Sequence, residues 1–132
     1  MNSVFADMSY FVALLIPRDR LHADAMAFTT TFLGTIVTTE FVLIEVANFF
    51  SRPPGRERLL RLVEELYQSS SVEIVGASEG AVAQGLSFFA ARPDQEWSLT
   101  DCISFQVMTE RGLIDSLTAD KHFEQAGFRV LL

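Results

Sequence analysis

The sequence has one cysteine, one lysine and no long uninterrupted apolar run. With Cys102 alone, an internal disulfide and a cysteine-based zinc site are excluded, which fits a reducing cytoplasm; Cys102 itself is expected in the core. Charged residues and a proline interrupt the longest apolar segments, so none reaches the roughly 18 to 20 residues that a membrane helix needs. The N-terminal segment lacks the basic start of a signal peptide. We therefore expect a cytoplasmic protein with no membrane segment.

Positive charge is also scarce, because 10 Lys and Arg face 17 Asp and Glu, for a formal net charge of -7. Proteins that bind nucleic acids usually present a broad basic face, and this chain cannot do so. A nucleic-acid role would require carboxylates grouped around a cation, with the arginines forming a local patch. The 132 residues, 49% of them hydrophobic, are enough for one core, so we expect a single domain over residues 1–132.

Short β-like segments alternate with helical ones along the chain. Periodicity and turn residues predict strands at residues 4–6, 35–38, 72–75, 116–118 and 129–131. They predict helices at residues 9–16, 21–32, 40–50, 56–68, 78–91, 100–111 and 120–126. This alternation predicts an α/β fold, a three-layer α/β/α sandwich with a mostly parallel central sheet. In such sheets, functional sites form at the carboxyl ends of the strands.

Two acids stand in unusually apolar surroundings. Asp7 directly follows the first predicted strand and is the only charged residue before Pro17. Burying it without a partner would be costly, although capping the next helix would also explain it. Glu45 has apolar neighbours one helical turn away on both sides, whereas Glu40 lies on another face and is expected to be a solvated first-turn acid.

Two further acids open helices near strand ends. Asp101 is the only charge between Trp97 and Thr109, and Asp120 follows the fourth predicted strand; each could simply be a helix cap. Together with Asp7 and Glu45 they would meet at one end of the sheet, where converging carboxylates need a cation. Oxygen ligands of this kind suit Mg²⁺ or Mn²⁺, which share their remaining positions with water and phosphate. The pattern therefore predicts a phosphoryl-transfer site.

Four segments resemble, in the right order and over nearly the whole chain, the motifs of PIN domains. They are FADMSYFVALL for the Asp-x-Ser opening, TTEFVLIEVANFF for the polar strand and Glu-bearing helix, WSLTDCISFQVMTERG for the Ser-x-x-Asp helix, and LTADKHFEQAGF for the closing Thr-x-Asp-x-x-Phe segment. One departure is Met8, where a small polar residue is common. Asp115 competes with Asp120 for the fourth acidic position, and Asp120 is preferred because it lies in the Thr-x-Asp motif.

The resemblance implies a metal-dependent ribonuclease, many of whose relatives are VapC-type toxins held inactive by an antitoxin. Asp7 and Asp101 would be the main metal ligands, Glu45 and Asp120 would complete the cluster, and Ser9 and Thr118 would support it. Metal ions would bind the scissile phosphate and activate water, leaving a 5′-phosphate and a 3′-hydroxyl. The cofactor would be Mg²⁺ or Mn²⁺, and the partners an RNA substrate and an antitoxin.

Other features leave alternatives open. The candidates for contact with the RNA backbone are Arg52, Arg56, Arg58 and Arg61, although a solvated helix start would also explain them. His22 and His122 lack ligand-like spacing and are expected at the surface. A surplus of apolar residues, including Phe28, Phe32, Phe49 and Phe50, predicts a surface for an antitoxin or for a homodimer. The rival functions are a PIN-like binding module without turnover, an RNA-processing nuclease without an antitoxin, and a phosphatase or response-regulator-like pocket.

Overall fold

A five-stranded parallel sheet forms the centre of the fold in the computed structural model, which describes residues 2–132. The strands are β1 (Ser3–Ala6), β2 (Thr35–Thr39), β3 (Val72–Val75), β4 (Asp115–Leu117) and β5 (Arg129–Val130). Their order across the sheet is β3-β2-β1-β4-β5, and each neighbouring pair is parallel. Because β1 is central, the residue that follows it lies in the middle of the carboxyl edge, between the ends of β2 and β4.

Helices connect the strands and complete the α/β/α arrangement that the sequence predicted. They are α1 (Met8–Leu15), α2 (His22–Thr31), α3 (Glu40–Phe49), α4 (Gly55–Gln68), α5 (Glu79–Ala91), α6 (Leu99–Glu110) and α7 (Lys121–Gln125). None of the helices in residues 2–132 is long and apolar enough to cross a membrane.

An aromatic cluster fixes α6 and α7 against the sheet. The ring of Phe105, on α6, lies 4.9 Å from that of Phe123, on α7, and Phe123 lies 6.2 Å from Phe5, on β1. All three side chains are fully buried. Each such ring removes a large apolar area from water, and edge-on pairs add to that gain, so these contacts hold both helices in place beside the end of β1.

Several predicted boundaries need correction. The helix expected to begin at Thr100 or Asp101 begins at Leu99, because Ser98 is its N-cap and accepts a hydrogen bond from the Asp101 N–H. The first helix begins at Met8, with Asp7 rather than Ser9 at the N-cap position. The fourth strand is shifted by one residue, to Asp115–Leu117. Element types agree with the predictions throughout, whereas the ends depend on individual capping contacts.

The prediction that four phenylalanines form an apolar partner surface is partly wrong. Phe50 is buried in the core, and Phe28 and Phe32 stack on each other and pack against that core, which leaves Phe49 as the exposed member of the set. Cys102 is buried, as expected.

The packing of α5 on α6 generates a stability prediction. A Cβ atom at Gly85 would overlap Cγ1 of buried Ile103, whereas a Cβ at Gly80, on the same helix, would meet nothing within 4 Å. We expect Gly85→Ala to lower the free energy of unfolding by about 1–3 kcal/mol, because α6 must shift to make room. The matched change Gly80→Ala should be neutral or stabilising by up to about 1 kcal/mol. Urea denaturation of both variants measures the difference, and equal effects would contradict the close packing.

Candidate active site

The four acids that the sequence singled out line one cavity at the carboxyl edge of the sheet. The cavity has a volume of about 270 Å³. Its lining consists of Asp7, Met8, Ser9, Glu45, Glu96, Ser98, Asp101, Asp120 and His122. The acids come from four different places in the fold, namely the β1–α1 junction, α3, α6 and the β4–α7 loop. Their convergence is therefore a property of the tertiary structure.

Asp7 is the most buried of the four, with 5% of its surface exposed. It occupies the N-cap position of α1, yet its side chain makes no capping hydrogen bond. Its pKa is raised to about 7, chiefly by burial and in smaller part by the nearby carboxylates of Asp101 and Glu45, while the Met8 backbone N–H and the hydrogen bond from Thr118 oppose the rise. The capping explanation does not account for this side chain, and the charged form of Asp7 is costly without a cation.

Two hydroxyl groups, of Thr118 and Ser9, link Asp7 to the segment that follows β4. Thr118 Oγ1 donates to Asp7 Oδ2 over 3.1 Å and accepts from the Asp120 N–H at 3.0 Å. Ser9 Oγ lies 3.0 Å from Thr118 Oγ1 and accepts from the Ala119 N–H at 2.9 Å. Because Thr118 gives its single hydroxyl proton to Asp7, Ser9 must donate to Thr118. This chain of hydrogen bonds joins the end of β1 to the end of β4.

Asp101 is both a capping residue and a member of the cluster. Its Oδ2 atom accepts from the Ser98 N–H at 3.1 Å, which completes a capping box at the start of α6. Burial raises its pKa, and hydrogen bonds from the Ser98 backbone and His122 oppose the rise. Burial, followed by the Asp101 carboxylate, also raises the pKa of Glu45. Capping and convergence, posed as alternatives from the sequence, coexist here.

The structure separates the two candidates for the fourth acid. Asp120 caps α7 by accepting from the His122 N–H at 2.9 Å, and it lines the acidic cavity. Asp115 lies at the start of β4, pairs with Arg129 and lines another cavity. The distance between the two ends of β4 therefore favours Asp120 as the member of the cluster.

Two residues that line the acidic cavity, His122 and Glu96, were not predicted to do so. His122 was expected at the surface, and this is wrong, because its Nδ1 atom lies 3.1 Å from Asp101 Oδ2 and 3.3 Å from Asp120 Oδ1. His22, also expected at the surface, is partly buried and places Nδ1 2.7 Å from the carbonyl oxygen of Ala13. Glu96, an exposed acid in the loop before α6, also lines the acidic cavity. The only local signal for His122 was its position two residues after Asp120, within the same turn.

The four arginines predicted to contact RNA lie outside the lining of the acidic cavity. Arg58 and Arg61 line a separate cavity of about 700 Å³ between α1, α2 and α4, which includes none of the four acids. Arg58 donates to the carbonyl oxygen of Leu15 at 3.3 Å, and Arg56 to that of Ser51 at 2.9 Å. Contact of these side chains with RNA stays a prediction.

The donor set of the acidic cavity fits a divalent cation. Among residues 2–132, no lysine or arginine lines it, so no side chain with a permanent positive charge offsets the carboxylates there. Single ligand atoms of Asp101, Asp120 and His122 lie within 4.8 Å of one another. Burial raises the pKa of Asp7 and of Glu45, and neighbouring carboxylates add to the rise: Asp101 and Glu45 for Asp7, Asp101 and Asp120 for Glu45. A bound cation would remove that cost.

Comparison with known proteins gives the family. Residues 4–129 match the PIN domain. The chain belongs to the PIN domain family. A relative from Mycobacterium tuberculosis, described as the 23S rRNA-specific endonuclease VapC20, is 25% identical over 125 residues, covering 95% of each protein. The resemblance that the four sequence motifs carried is thus confirmed.

Several solved structures share the fold. The crystal structure of M. tuberculosis VapC20, described as a sarcin-ricin loop cleaving toxin, superposes with a TM-score of 0.85 at 23% identity and covers 95% of each chain. The structure of FitAcB from Neisseria gonorrhoeae gives a TM-score of 0.68 at 17% identity, covering 98% of this chain and 96% of that one. VapBC2 from Rickettsia felis, bound to a DNA fragment from its promoter, gives 0.67 at 12% identity, covering 98% and 97%.

The raised pKa of Asp7 makes a prediction about the metal-free PIN domain. The pKa of the Asp7 carboxyl group rises on folding from 3.8 to about 7, so the folded protein loses stability as pH increases through that window. We expect Asp7→Asn to be more stable than the wild type in EDTA above pH 7, because Asn keeps an acceptor for Thr118 without the charge. The difference in free energy of unfolding between Asp7→Asn and the wild type should grow by up to about 1.4 kcal/mol per pH unit between pH 4 and 7. Urea denaturation at pH 5 and pH 8 measures it.

The control is Asp24→Asn, which neutralises an exposed acid on α2. Its free energy of unfolding should follow the pH dependence of the wild type. If Asp7→Asn does the same, Asp7 does not carry a buried charge in the folded protein.

Proposed function

We propose that this PIN domain is a divalent-metal-dependent endoribonuclease and the toxin of a toxin–antitoxin pair. The observation that carries the proposal is the convergence of Asp7, Glu45, Asp101 and Asp120 in one cavity, with burial raising the pKa of Asp7 to about 7. The endonuclease VapC20, similar along 95% of the chain, supports the same activity. An RNA substrate also fits the cytoplasmic location inferred from the single cysteine.

In this proposal, Asp7 and Asp101 are the main ligands of Mg²⁺ or Mn²⁺, and Glu45 and Asp120 complete the cluster. Held by these residues, a bound cation would supply positive charge at the scissile phosphate and would lower the pKa of a water molecule. Thr118 and Ser9 fix the Asp7 carboxylate through their hydrogen bonds, so it does not need to reorganise when the substrate arrives. The capping box with Ser98 does the same for Asp101. The expected products are a 5′-phosphate and a 3′-hydroxyl.

The first prediction from this proposal concerns cleavage. Asp7→Asn and Asp101→Asn should each lower RNA cleavage at least about 100-fold with Mg²⁺ or Mn²⁺, because each removes a ligand charge while Asn keeps the local hydrogen bonds. VapC20 is described as cleaving the sarcin-ricin loop of 23S rRNA, so ribosomes are the first substrate to test. Gel analysis of the RNA after incubation measures cleavage, and EDTA should abolish it.

Asp24→Asn serves again as the control and should cleave like the wild type. Wild-type-like turnover by Asp7→Asn would contradict the ligand assignment. A wild-type protein that binds RNA without cleaving it would instead favour the binding module, and cleavage that persists in EDTA would contradict the dependence on metal.

We propose that an antitoxin docks in the cavity of about 700 Å³ that Arg58 and Arg61 line. Its lining is mostly apolar and comes from α1, α2, α4, β2, β3 and the adjoining loops, with Arg58, Arg61 and Glu65 also present. Two arginines against one acid favour an apolar segment that carries at least one acidic side chain. VapBC complexes from Rickettsia felis and Salmonella typhimurium are among the structures with this fold, which supports a partner of this kind. The occupant would be the product of the reading frame immediately upstream.

The second prediction tests that docking site. After co-expression with the upstream frame, Arg61→Glu should weaken the complex roughly tenfold, because it reverses a charge in the cavity lining. Arg52→Glu makes the same reversal at an exposed position outside that lining and should change the dissociation constant much less. Equal effects would contradict the docking site. If the upstream frame encodes no binding protein, the RNA-processing alternative is favoured.

A homodimer also stays a prediction. Of the four phenylalanines predicted for such an interface, Phe49 is the exposed one.

A further inference from the structure

His122 lies among the acids at distances suited to a shared ligand. Its Nδ1 atom is 3.1 Å from Asp101 Oδ2 and 3.3 Å from Asp120 Oδ1, and the side chain is 21% exposed. Neighbouring ligands of an octahedral ion with bonds of about 2.1 Å are separated by roughly 3.0 Å. His122 Nδ1 is therefore spaced from each of the two carboxylate oxygens much like an adjacent corner of one coordination shell, and ligand atoms of all three residues lie within 4.8 Å of one another.

The fold holds the ring in this position. The His122 N–H donates to Asp120 Oδ1, so the capping contact that begins α7 also fixes the backbone from which the ring projects. The next residue, Phe123, is fully buried between Phe5 and Phe105 and anchors that turn to the core. A ring held from two sides loses little further freedom when it binds an ion.

Carboxylate ligands alone accept both Mg²⁺ and Mn²⁺, whereas an imidazole nitrogen favours one of the two. Mg²⁺ prefers oxygen ligands and gives up its water reluctantly, whereas first-row transition-metal ions bind imidazole readily. We propose that His122 contributes Nδ1 as a metal ligand beside Asp101 and Asp120, and that it makes the site prefer a transition-metal ion to Mg²⁺. This inference rests on the proposed metal-dependent function. The ring would then carry its proton on Nε2.

Pulsed electron paramagnetic resonance of Mn²⁺ tests the ligand directly. The chain has two histidines, so tag-free protein labelled with ¹⁵N-histidine reports on few candidates. We expect a nitrogen coupling in the wild type and in His22→Asn, and its loss in His122→Asn, which keeps a hydrogen-bonding atom near the position of Nδ1. The wild-type and His22→Asn spectra do not require the His122 variant to fold.

Titrations of Mn²⁺ and Mg²⁺ by calorimetry measure the preference. His122→Asn should weaken Mn²⁺ binding roughly tenfold and Mg²⁺ binding much less, while His22→Asn should change neither. Tight Mn²⁺ binding by the wild type without nitrogen coupling would overturn the inference and leave the acidic metal site intact, with His122 as a hydrogen-bond partner of Asp101. Failure of the wild type to bind either ion would overturn both the inference about His122 and the proposed metal-dependent function.

Discussion

Carboxylates that share a partly buried cavity repel one another, and the structure around the carboxyl edge of the sheet accommodates that repulsion. Asp7 bears the largest cost, since burial and its acidic neighbours raise its pKa to about 7. A parallel sheet makes the arrangement possible because the loops after its strands meet at one edge. The aromatic contacts of Phe5, Phe105 and Phe123 then supply apolar burial in the elements that carry Asp101 and His122 and lead to Asp7. A strained acidic site is thus supported by a well-packed core.

Two of the acids in the cavity also stabilise the fold by capping helices. Asp101 completes the capping box of α6, and Asp120 caps α7, so each carboxylate satisfies backbone N–H groups while it faces the cavity. These contacts orient the side chains before any ligand arrives. Asp7 differs, because its polar contacts include the hydroxyl of Thr118, which Ser9 supports in turn. Charge and cap can therefore be separated experimentally by replacing Asp with Asn.

The net charge of -7 does not by itself exclude a nucleic-acid substrate. Five acidic residues line the cavity at the carboxyl edge, where a divalent cation would offset part of their charge and offer a phosphate a local positive charge. Arg58 and Arg61 instead border an apolar cavity between α1, α2 and α4. The molecule thus presents two chemically different surfaces, one suited to a cation and phosphate, the other to an apolar protein segment.

The sequence alone determined the order and type of the elements, because strand and helix periodicities are local. It also singled out Asp7 and Glu45, since a charge within an apolar segment is visible in the sequence. Only the tertiary structure could show that His122 joins Asp101 and that Arg61 lies outside the acidic cavity, because those relations depend on how α4, α6 and α7 pack. Whether Asp101 is a cap or a cavity residue was also undecidable locally. The same carboxylate does both, because the start of α6 lies beside the end of β1.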